Sequence, residues 1–123
     1  MNVVDSSGWL EYFSDGRNAS RFAVPLTDLD SLVVPTVSIY EVCKVLLRES
    51  GEEAALLAAV AMQRGHLVDL TPQRAVTAAT ISLKHSLPMA DSIILAAAHE
   101  HEATLWTQDE DFKGLIKVNY FPK

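Results

Sequence analysis

The segment Pro88-Met89-Ala90-Asp91-Ser92-Ile93-Ile94-Leu95-Ala96-Ala97-Ala98 is the centre of the chain, because it is the least polar run in the sequence and carries one carboxylate. The residues from Ala90 to His101 are good helix formers with almost no polar face, which predicts a helix buried nearly all round. Asp91 lies in its first turn, where free N–H groups favour a negative charge. It is either an ordinary helix-start residue or a metal ligand or catalytic acid, and the second role needs further carboxylates from elsewhere.

Composition predicts one globular domain over residues 1–123, since 49% of the residues are hydrophobic and many are alanine. The segment Met1–Asp5 lacks the basic region and long apolar run of a signal peptide. No apolar stretch reaches the ~18 residues of a membrane span. Cys43 is the only cysteine, which excludes an intrachain disulfide and a Cys-rich zinc site. We therefore expect a cytoplasmic protein without a membrane segment.

The formal net charge is −6, and the ten basic residues are scattered along the chain. Proteins of this kind usually avoid nucleic acid, because contacts to phosphate depend on Lys and Arg. If the substrate is nonetheless a polyanion, the negative charge of the protein at the binding site must be compensated. Bound divalent cations would do so.

Outside the central helix, short apolar strands alternate with helices. The predicted strands are Val3–Val4, Leu32–Val34, His66–Leu70, Thr104–Thr107 and Val118–Phe121. The predicted helices are one that carries Trp9, Tyr12 and Phe13, then Ala19–Leu26, Ser38–Glu49, Glu52–Gln63 and Pro72–Leu83. This order predicts an α/β fold with three layers, α/β/α, around a short parallel sheet of four to five strands. Ligands of such folds bind beyond the carboxyl ends of the strands.

Four acids lie at a strand end or at a helix start: Asp5, Glu41, Asp91 and Asp109. Taken singly, each has a local explanation. Asp5 can cap the helix that follows it, Ser38-x-x-Glu41 matches a capping box, and Asp109 or Asp111 can cap the turn after the fourth strand. Taken together, they are expected at the same edge of the sheet.

A cluster of carboxylates needs a compensating charge. Two of them about 4 Å apart repel by roughly 4 kcal/mol at an effective dielectric constant of 20. A bound cation removes this repulsion, and ligands that are all oxygen suit hard ions. Mg²⁺ or Mn²⁺ is therefore the expected metal, and Zn²⁺ is not.

The segments that carry these acids resemble the four motifs of PIN-domain ribonucleases, and most closely the VapC-type toxins of bacterial and archaeal toxin–antitoxin pairs. They are Val3-Val4-Asp5-Ser6-Ser7, Ser38-Ile39-Tyr40-Glu41-Val42, Met89-Ala90-Asp91-Ser92-Ile93-Ile94 and Thr107-Gln108-Asp109-Glu110-Asp111-Phe112. Each motif alone is weak, but four of them in this order over the whole chain are a strong signal. The resemblance implies a PIN-like fold.

The resemblance also implies an activity, a metal and partners. It implies an acidic pocket that holds one or two divalent ions and is formed by Asp5, Glu41, Asp91 and Asp109. In the family, metal-bound water hydrolyses RNA phosphodiester bonds, and either Asp91 or Asp5 would orient or deprotonate that water here. The family further implies a homodimer and a cognate VapB-type antitoxin, with higher-order complexes, in which the antitoxin's C-terminal tail covers the pocket.

Accessory roles have two readings each. Thr107, in the family's Thr-x-Asp position, holds a water or a neighbouring carboxylate, or else bonds its own backbone. The hydroxyl of Ser6 likewise holds a water or a neighbouring carboxylate, or else caps the helix that follows. Asp111 is expected to be a local cap, and to replace Asp109 as a ligand should Asp109 point away.

Lys44 and Arg48 lie on the same helical stripe as Glu41, three and seven residues further on. They are candidates for contacts with RNA phosphates beside the pocket or for ion pairs with its acids. A stripe of charged residues facing solvent explains the pattern equally well.

Two other classes of function fit part of the pattern. A phospho-acceptor Mg²⁺-binding domain has a similar length and fold. It requires a pair of acids after the first strand, but serines follow Asp5. It also requires an acceptor Asp after the third strand, but Asp69 is expected inside that strand. It also needs a Lys after the last strand, where only Lys123 is available. A non-catalytic binding module would use the same scaffold, although all four acids are present.

Overall fold

The computed structural model describes residues 1–123 as five short strands and six α-helices, with two 3₁₀ turns at Leu29–Ser31 and Glu110–Phe112. The strands are β1 (Asn2–Val4), β2 (Val33–Pro35), β3 (His66–Val68), β4 (Thr104–Thr107) and β5 (Val118–Tyr120). The helices are α1 (Ser6–Phe13), α2 (Ala19–Leu26), α3 (Thr36–Glu49), α4 (Glu52–Met62), α5 (Pro72–His85) and α6 (Met89–Glu100). None of the helices is both long enough and apolar enough to cross a bilayer.

All strand pairs are parallel, which confirms the predicted sheet. β4 lies between β1 and β5, and β2 pairs with β3. The two parts meet at a single parallel bridge between Asn2 and Leu32, so the hydrogen bonding is divided into three strands and two. The strands are only three or four residues long, and each pair therefore shares few hydrogen bonds.

The core lies on both faces of the sheet. Val3 belongs to the cluster packed against α5 and α6, whereas Val4 belongs to the cluster packed against α1 to α4. Val33 and Val34 divide between the two clusters in the same way. Successive side chains of a strand point to opposite faces, so both strands are covered by helices on both sides. This arrangement gives the three layers expected from the sequence.

The central helix α6 is buried as predicted, at Ser92 and from Ile94 to Ala98. It begins at Met89 and ends at Glu100, one residue earlier at each end than expected. Asp91 is therefore its third residue, half-buried in the first turn. The apolar body of α6 fixes the position of this carboxylate against β1 and β4.

Two predicted boundaries are wrong in ways that affect the site. α3 begins at Thr36, directly after β2, and not at Ser38. Ser38 is therefore inside the first turn, and the predicted capping box does not exist. β3 ends at Val68, so Asp69 follows the strand and does not lie within it.

Candidate metal centre

The sheet brings two of the predicted acids to one edge. β1 and β4 are parallel neighbours, with Val4 opposite Trp106. Asp5 follows the end of β1, and its backbone N–H donates to the carbonyl of Trp106 over 3.1 Å. Asp109 comes after the end of β4, separated from it by Gln108 alone. Because the carboxyl ends of parallel strands meet at the same edge, the two acids lie together there.

Asp5 is held by hydrogen bonds to both oxygens and is only 2% exposed. Its Oδ1 accepts from the hydroxyl of Ser7 over 2.7 Å and from the N–H of Gly8 over 3.0 Å, which caps α1. Its Oδ2 accepts from the hydroxyl of Thr107 over 2.7 Å. Burial raises the pKa of Asp5 to about 6, although these hydrogen bonds oppose the shift and the charge of Asp109 adds to it. Capping and a place in the site are therefore compatible for Asp5.

The side chain of Thr107 connects two of the acids. Its buried hydroxyl donates to Asp5 and accepts from the backbone N–H of Asp109 over 2.9 Å. A single side chain therefore fixes the carboxylate at the end of β1 relative to the loop after β4.

Three carboxylates form a cluster in which their ligand oxygens all lie within 4.8 Å of one another: Asp91, Asp109 and Asp111. The Oδ1 of Asp109 accepts from the N–H of Asp111 over 2.9 Å, so Asp109 caps the turn that follows. The prediction that Asp111 is the local cap is therefore wrong. Because Asp109 takes that role, the side chain of Asp111 lies in the cluster beside it.

The electrostatics of the cluster are unfavourable without a cation. Burial, together with the negative charges of Asp109, Glu41, Asp5 and Asp111, raises the pKa of Asp91 to about 7. None of the three ion pairs of the protein involves these acids. An all-oxygen set of donors at this spacing, with no cationic side chain to neutralise it, fits Mg²⁺ or Mn²⁺.

Glu41 lies in the second turn of α3, beside the cluster and not within it. Its Oε1 accepts from the hydroxyl of Ser6 over 2.5 Å. Ser6 therefore contacts a site carboxylate and does not cap α1, a role that Asp5 fills. The hydroxyl of Ser38 is buried without a hydrogen-bond partner, because the capping box expected there is not formed. The charge of Glu41 nevertheless acts on Asp91.

The basic residues on the Glu41 stripe form no ion pair with the site acids. Lys44 is exposed, with its Nζ 5.8 Å from the centre of the Tyr40 ring. Arg48 is also exposed and lies 3.4 Å from Glu49. Neither forms an ion pair with Glu41, so that part of the prediction is wrong, whereas contacts with RNA phosphates stay a prediction.

Asp69 bears on the phospho-acceptor alternative. The prediction that it lies inside β3 is wrong, but its carboxylate is exposed and does not belong to the cluster of three acids. The arrangement of a phospho-acceptor site is therefore not formed around it.

Sequence reasoning missed three polar residues around the site. Ser7 donates to Asp5, and its hydroxyl accepts from the N–H of Gln108 over 3.3 Å. Asn18 donates to the side chain of Gln108 over 3.1 Å. Ser7 and Gln108 could have been suspected, because each is near a predicted site residue in sequence. Asn18 is ninety residues from Gln108 and left no signal in the sequence.

The fold and these acids define an α/β protein with a site suited to a hard divalent cation. The family model of the PIN domain matches residues 3–117. The chain belongs to the PIN-domain family, as its motifs predicted. No curated protein matches it in sequence.

Solved structures share the fold at low sequence identity. A toxin–antitoxin complex from Klebsiella pneumoniae superposes with a TM-score of 0.81 at 19% identity, with 100% of both chains covered. VapC20 of Mycobacterium tuberculosis, a toxin that cleaves the sarcin–ricin loop, gives 0.80 at 17% identity, covering 97% of this chain and 99% of its own. VapBC2 from Rickettsia felis, bound to DNA from its promoter, gives 0.73 at 11% identity, covering 98% and 97%. At these identities the likeness concerns the fold.

Proposed function

We propose that the protein is a Mg²⁺- or Mn²⁺-dependent endoribonuclease, the toxin of a type II toxin–antitoxin pair, that hydrolyses RNA phosphodiester bonds. The observation that supports it most is the cluster of Asp91, Asp109 and Asp111, whose oxygens lie within 4.8 Å without a cationic partner. The fold shared with a toxin that cleaves the sarcin–ricin loop is consistent with this activity.

In this proposal the acids divide into two groups. Asp91, Asp109 and Asp111 hold the ion, with Asp5 and Glu41 beside them. A divalent ion bound there lowers the pKa of water and stabilises negative charge that develops on the phosphate. Asp91 accepts no hydrogen bond from the protein, unlike Asp5, so an oxygen of Asp91 is free to orient the attacking water and accept its proton.

The proposal is tested with purified protein and structured RNA. We expect cleavage with Mg²⁺ or Mn²⁺ that stops when EDTA is added, and none with Asp5→Ala. Sequencing of RNA ends after brief expression in cells then locates the target, with the same variant as the control. Metal-independent cleavage, or equal cleavage by Asp5→Ala, would contradict the proposal.

We further propose a homodimer and a complex with a VapB-type antitoxin, because two apolar surfaces are exposed. One is a groove of about 510 Å³ between α5 and α6, where Leu83 is 87% and Met89 is 74% exposed. The other lies on α3 and α4 and consists of Leu47, Leu56, Leu57 and Val60. Patches of this kind on a small protein usually mark contacts with other proteins. We assign the first to a second copy of the chain and the second to the antitoxin.

Charged substitutions separate the two assignments. Leu83→Asp is expected to give a monomer in sedimentation experiments. Leu57→Asp should leave the dimer intact and weaken antitoxin binding by about tenfold or more, as expected for loss of a buried apolar anchor. If Leu83→Asp leaves the dimer unchanged, or Leu57→Asp dissociates it, the assignment of the surfaces is wrong.

A further inference from the structure

We propose that a polar groove beside the acid cluster binds one unpaired nucleotide of the RNA, and that Gln108 and Tyr120 recognise its base. The inference rests on the proposed ribonuclease function and names the part of the substrate that this chain selects. It assigns a keto base, guanine or uracil, to the groove.

The groove adjoins the candidate metal centre. Its volume is about 400 Å³, within the range of small-molecule sites. It is lined by Gln108, Asp109, Glu110, Asp111, Tyr120, Pro122 and Lys123. Two of these, Asp109 and Asp111, also belong to the cluster of three acids. An RNA strand whose phosphate lies at the cluster therefore places a neighbouring nucleotide in the groove.

Gln108 presents a fixed hydrogen-bond donor there. The Nδ2 of Asn18 donates to the Oε1 of Gln108 over 3.1 Å and to the carbonyl of Pro122 over 3.0 Å. The carbonyl of Pro122 can only accept, so the atom of Asn18 must be its nitrogen. The atom of Gln108 that faces Asn18 is then its oxygen. The orientation of both amides follows from this chain of contacts.

The Nε2 of Gln108 consequently remains without a partner. The residue is only 7% exposed, yet its amide nitrogen donates to no atom of the protein. The nitrogen itself is not buried, because the hydroxyl of Ser38 is the one buried side-chain polar atom that lacks a partner. It therefore reaches the solvent of the groove, where it is free to donate to a ligand. The proposal places this donor opposite the exocyclic group of the base. There a keto oxygen, O6 of guanine or O4 of uracil, accepts from it, whereas adenine and cytosine carry an amino group at that position.

Tyr120 supplies an aromatic surface next to this donor. It pairs with Thr107 across β4 and β5, which places it one residue from Gln108 in the sheet register. The Nζ of Lys113 lies 5.7 Å from the ring centre, and Lys123 also lines the groove. Unpaired bases stack on aromatic side chains in single-stranded RNA recognition.

A flat ring and a free donor beside the proposed ion site favour an RNA base over a peptide as the occupant of the groove. The test uses the full-length protein with Mg²⁺ and single-stranded RNA in which the base at each position is varied. We expect the parent to prefer guanine or uracil at one position by about tenfold, the size of one base contact. Gln108→Glu replaces the donor with an acceptor and should shift that preference toward adenine or cytosine.

Tyrosine variants test the stacking surface. Tyr120→Ala should lower kcat/KM by about tenfold, and Tyr120→Phe should not, because the ring is retained. Tyr40→Ala is the matched control, since Tyr40 also lies under a lysine, Lys44, but is on α3 outside the groove. If RNA is cleaved while Gln108→Glu and Tyr120→Ala behave like Tyr40→Ala, the inference is overturned and the ribonuclease function stands.

A binding readout separates the inference from the proposed function. The side-chain amide of Gln108 should shift in NMR spectra when short RNA with guanine or uracil is added, and should shift less with adenine or cytosine. If that shift occurs in a protein that cleaves no RNA, the inference holds and the proposed function fails. If only a peptide from the antitoxin's C-terminal tail shifts the amide, the groove belongs to a protein partner and the inference is wrong.

Discussion

Asp5 and Asp91 are carboxylates at the same edge of the sheet, but their surroundings differ. Both oxygens of Asp5 accept hydrogen bonds, from Ser7, Gly8 and Thr107, and the side chain is almost fully buried. Asp91 accepts none and is half-buried among other negative charges. The protein holds the carboxylate of Asp5 in place, whereas the oxygens of Asp91 are free to bind a ligand.

The difference indicates how such a site is built. The hydrogen-bonded half fixes the geometry of the edge, because each bond restrains an oxygen to a given direction. The half formed by Asp91, Asp109 and Asp111 carries repulsion that the folded chain leaves uncompensated. A cation bound there would relieve that repulsion, next to the carboxylate of Asp5 that the hydrogen bonds hold in place.

The largest effect is expected from Asp91→Asn, which removes a carboxylate from the uncompensated half. Metal affinity and RNA cleavage should each fall by at least about 100-fold, more than is typical for loss of an outer-shell group. Isothermal titration with Mn²⁺ and cleavage rates measure the two effects. Asp69→Asn is the control, because Asp69 is an exposed acid outside the cluster. Equal losses in both variants would mean that net charge, and not this ligand, controls binding.

Thr107→Val tests the hydrogen-bonded half. The substitution keeps the shape of the side chain but removes the bonds to Asp5 and to the N–H of Asp109. We expect a loss of activity of about 10- to 100-fold, as for other residues that orient metal ligands. The unfolding free energy should also fall by about 1–3 kcal/mol, because buried polar groups lose their partner.

Thr104→Val is the matched control, since Thr104 begins the same strand and its hydroxyl makes no contact with the acids. It should leave activity within about twofold of the parent. A normal cleavage rate in Thr107→Val would show that the bond to Asp5 has no part in positioning the site.

Ser6→Ala is expected to have a smaller effect. The hydroxyl of Ser6 restrains only one oxygen of Glu41, which lies beside the cluster. We expect activity to fall about three- to tenfold, the equivalent of one ordinary hydrogen bond. Ser20→Ala, at an exposed position of α2, serves as the comparison. If the two variants have the same activity, Glu41 does not need this contact.

The smallest effect concerns stability and pH in the metal-free protein. The pKa of Asp5 is raised from 3.8 to about 6 and that of Asp91 to about 7. Between about pH 4 and pH 7 the folded state therefore binds more protons than the unfolded state, so the unfolding free energy falls as the pH rises. In EDTA we expect Tm to be a few degrees higher near pH 5 than near pH 7.5.

Asp91→Asn checks the cause of this dependence. Without the ionisable group at Asp91, the difference in Tm between the two pH values should become smaller, and Tm near pH 7.5 should rise. An unchanged difference would assign the pH dependence to other groups.

Much of the fold was predictable from local patterns. Strands of a few apolar residues separated by helices indicated the parallel sheet, and the position of Asp5 and Asp109 after their strands placed both at one edge. α6 was predictable because its apolar residues surround the helix and Pro88 precedes it. These features depend on residues close together in sequence.

The errors came from contacts that local patterns do not contain. The capping box at Ser38 was wrong because the helix starts directly after β2, two residues earlier. The prediction that Asp111 is a cap is wrong because two acids compete for one turn, and only the folded loop decides between them. The bond from Asn18 to Gln108 joins residues ninety positions apart, and only the packing of α2 against the end of the chain brings them together.

The central claim is that Asp91, Asp109 and Asp111 hold a divalent ion beside the fixed carboxylate of Asp5. The most direct measurement is the anomalous scattering of crystals grown with Mn²⁺. We predict a peak between these three side chains, with Mn–O distances of about 2.0–2.3 Å, typical of oxygen ligands. Absence of a peak, with the three carboxylates turned away from one another into solvent, would contradict it.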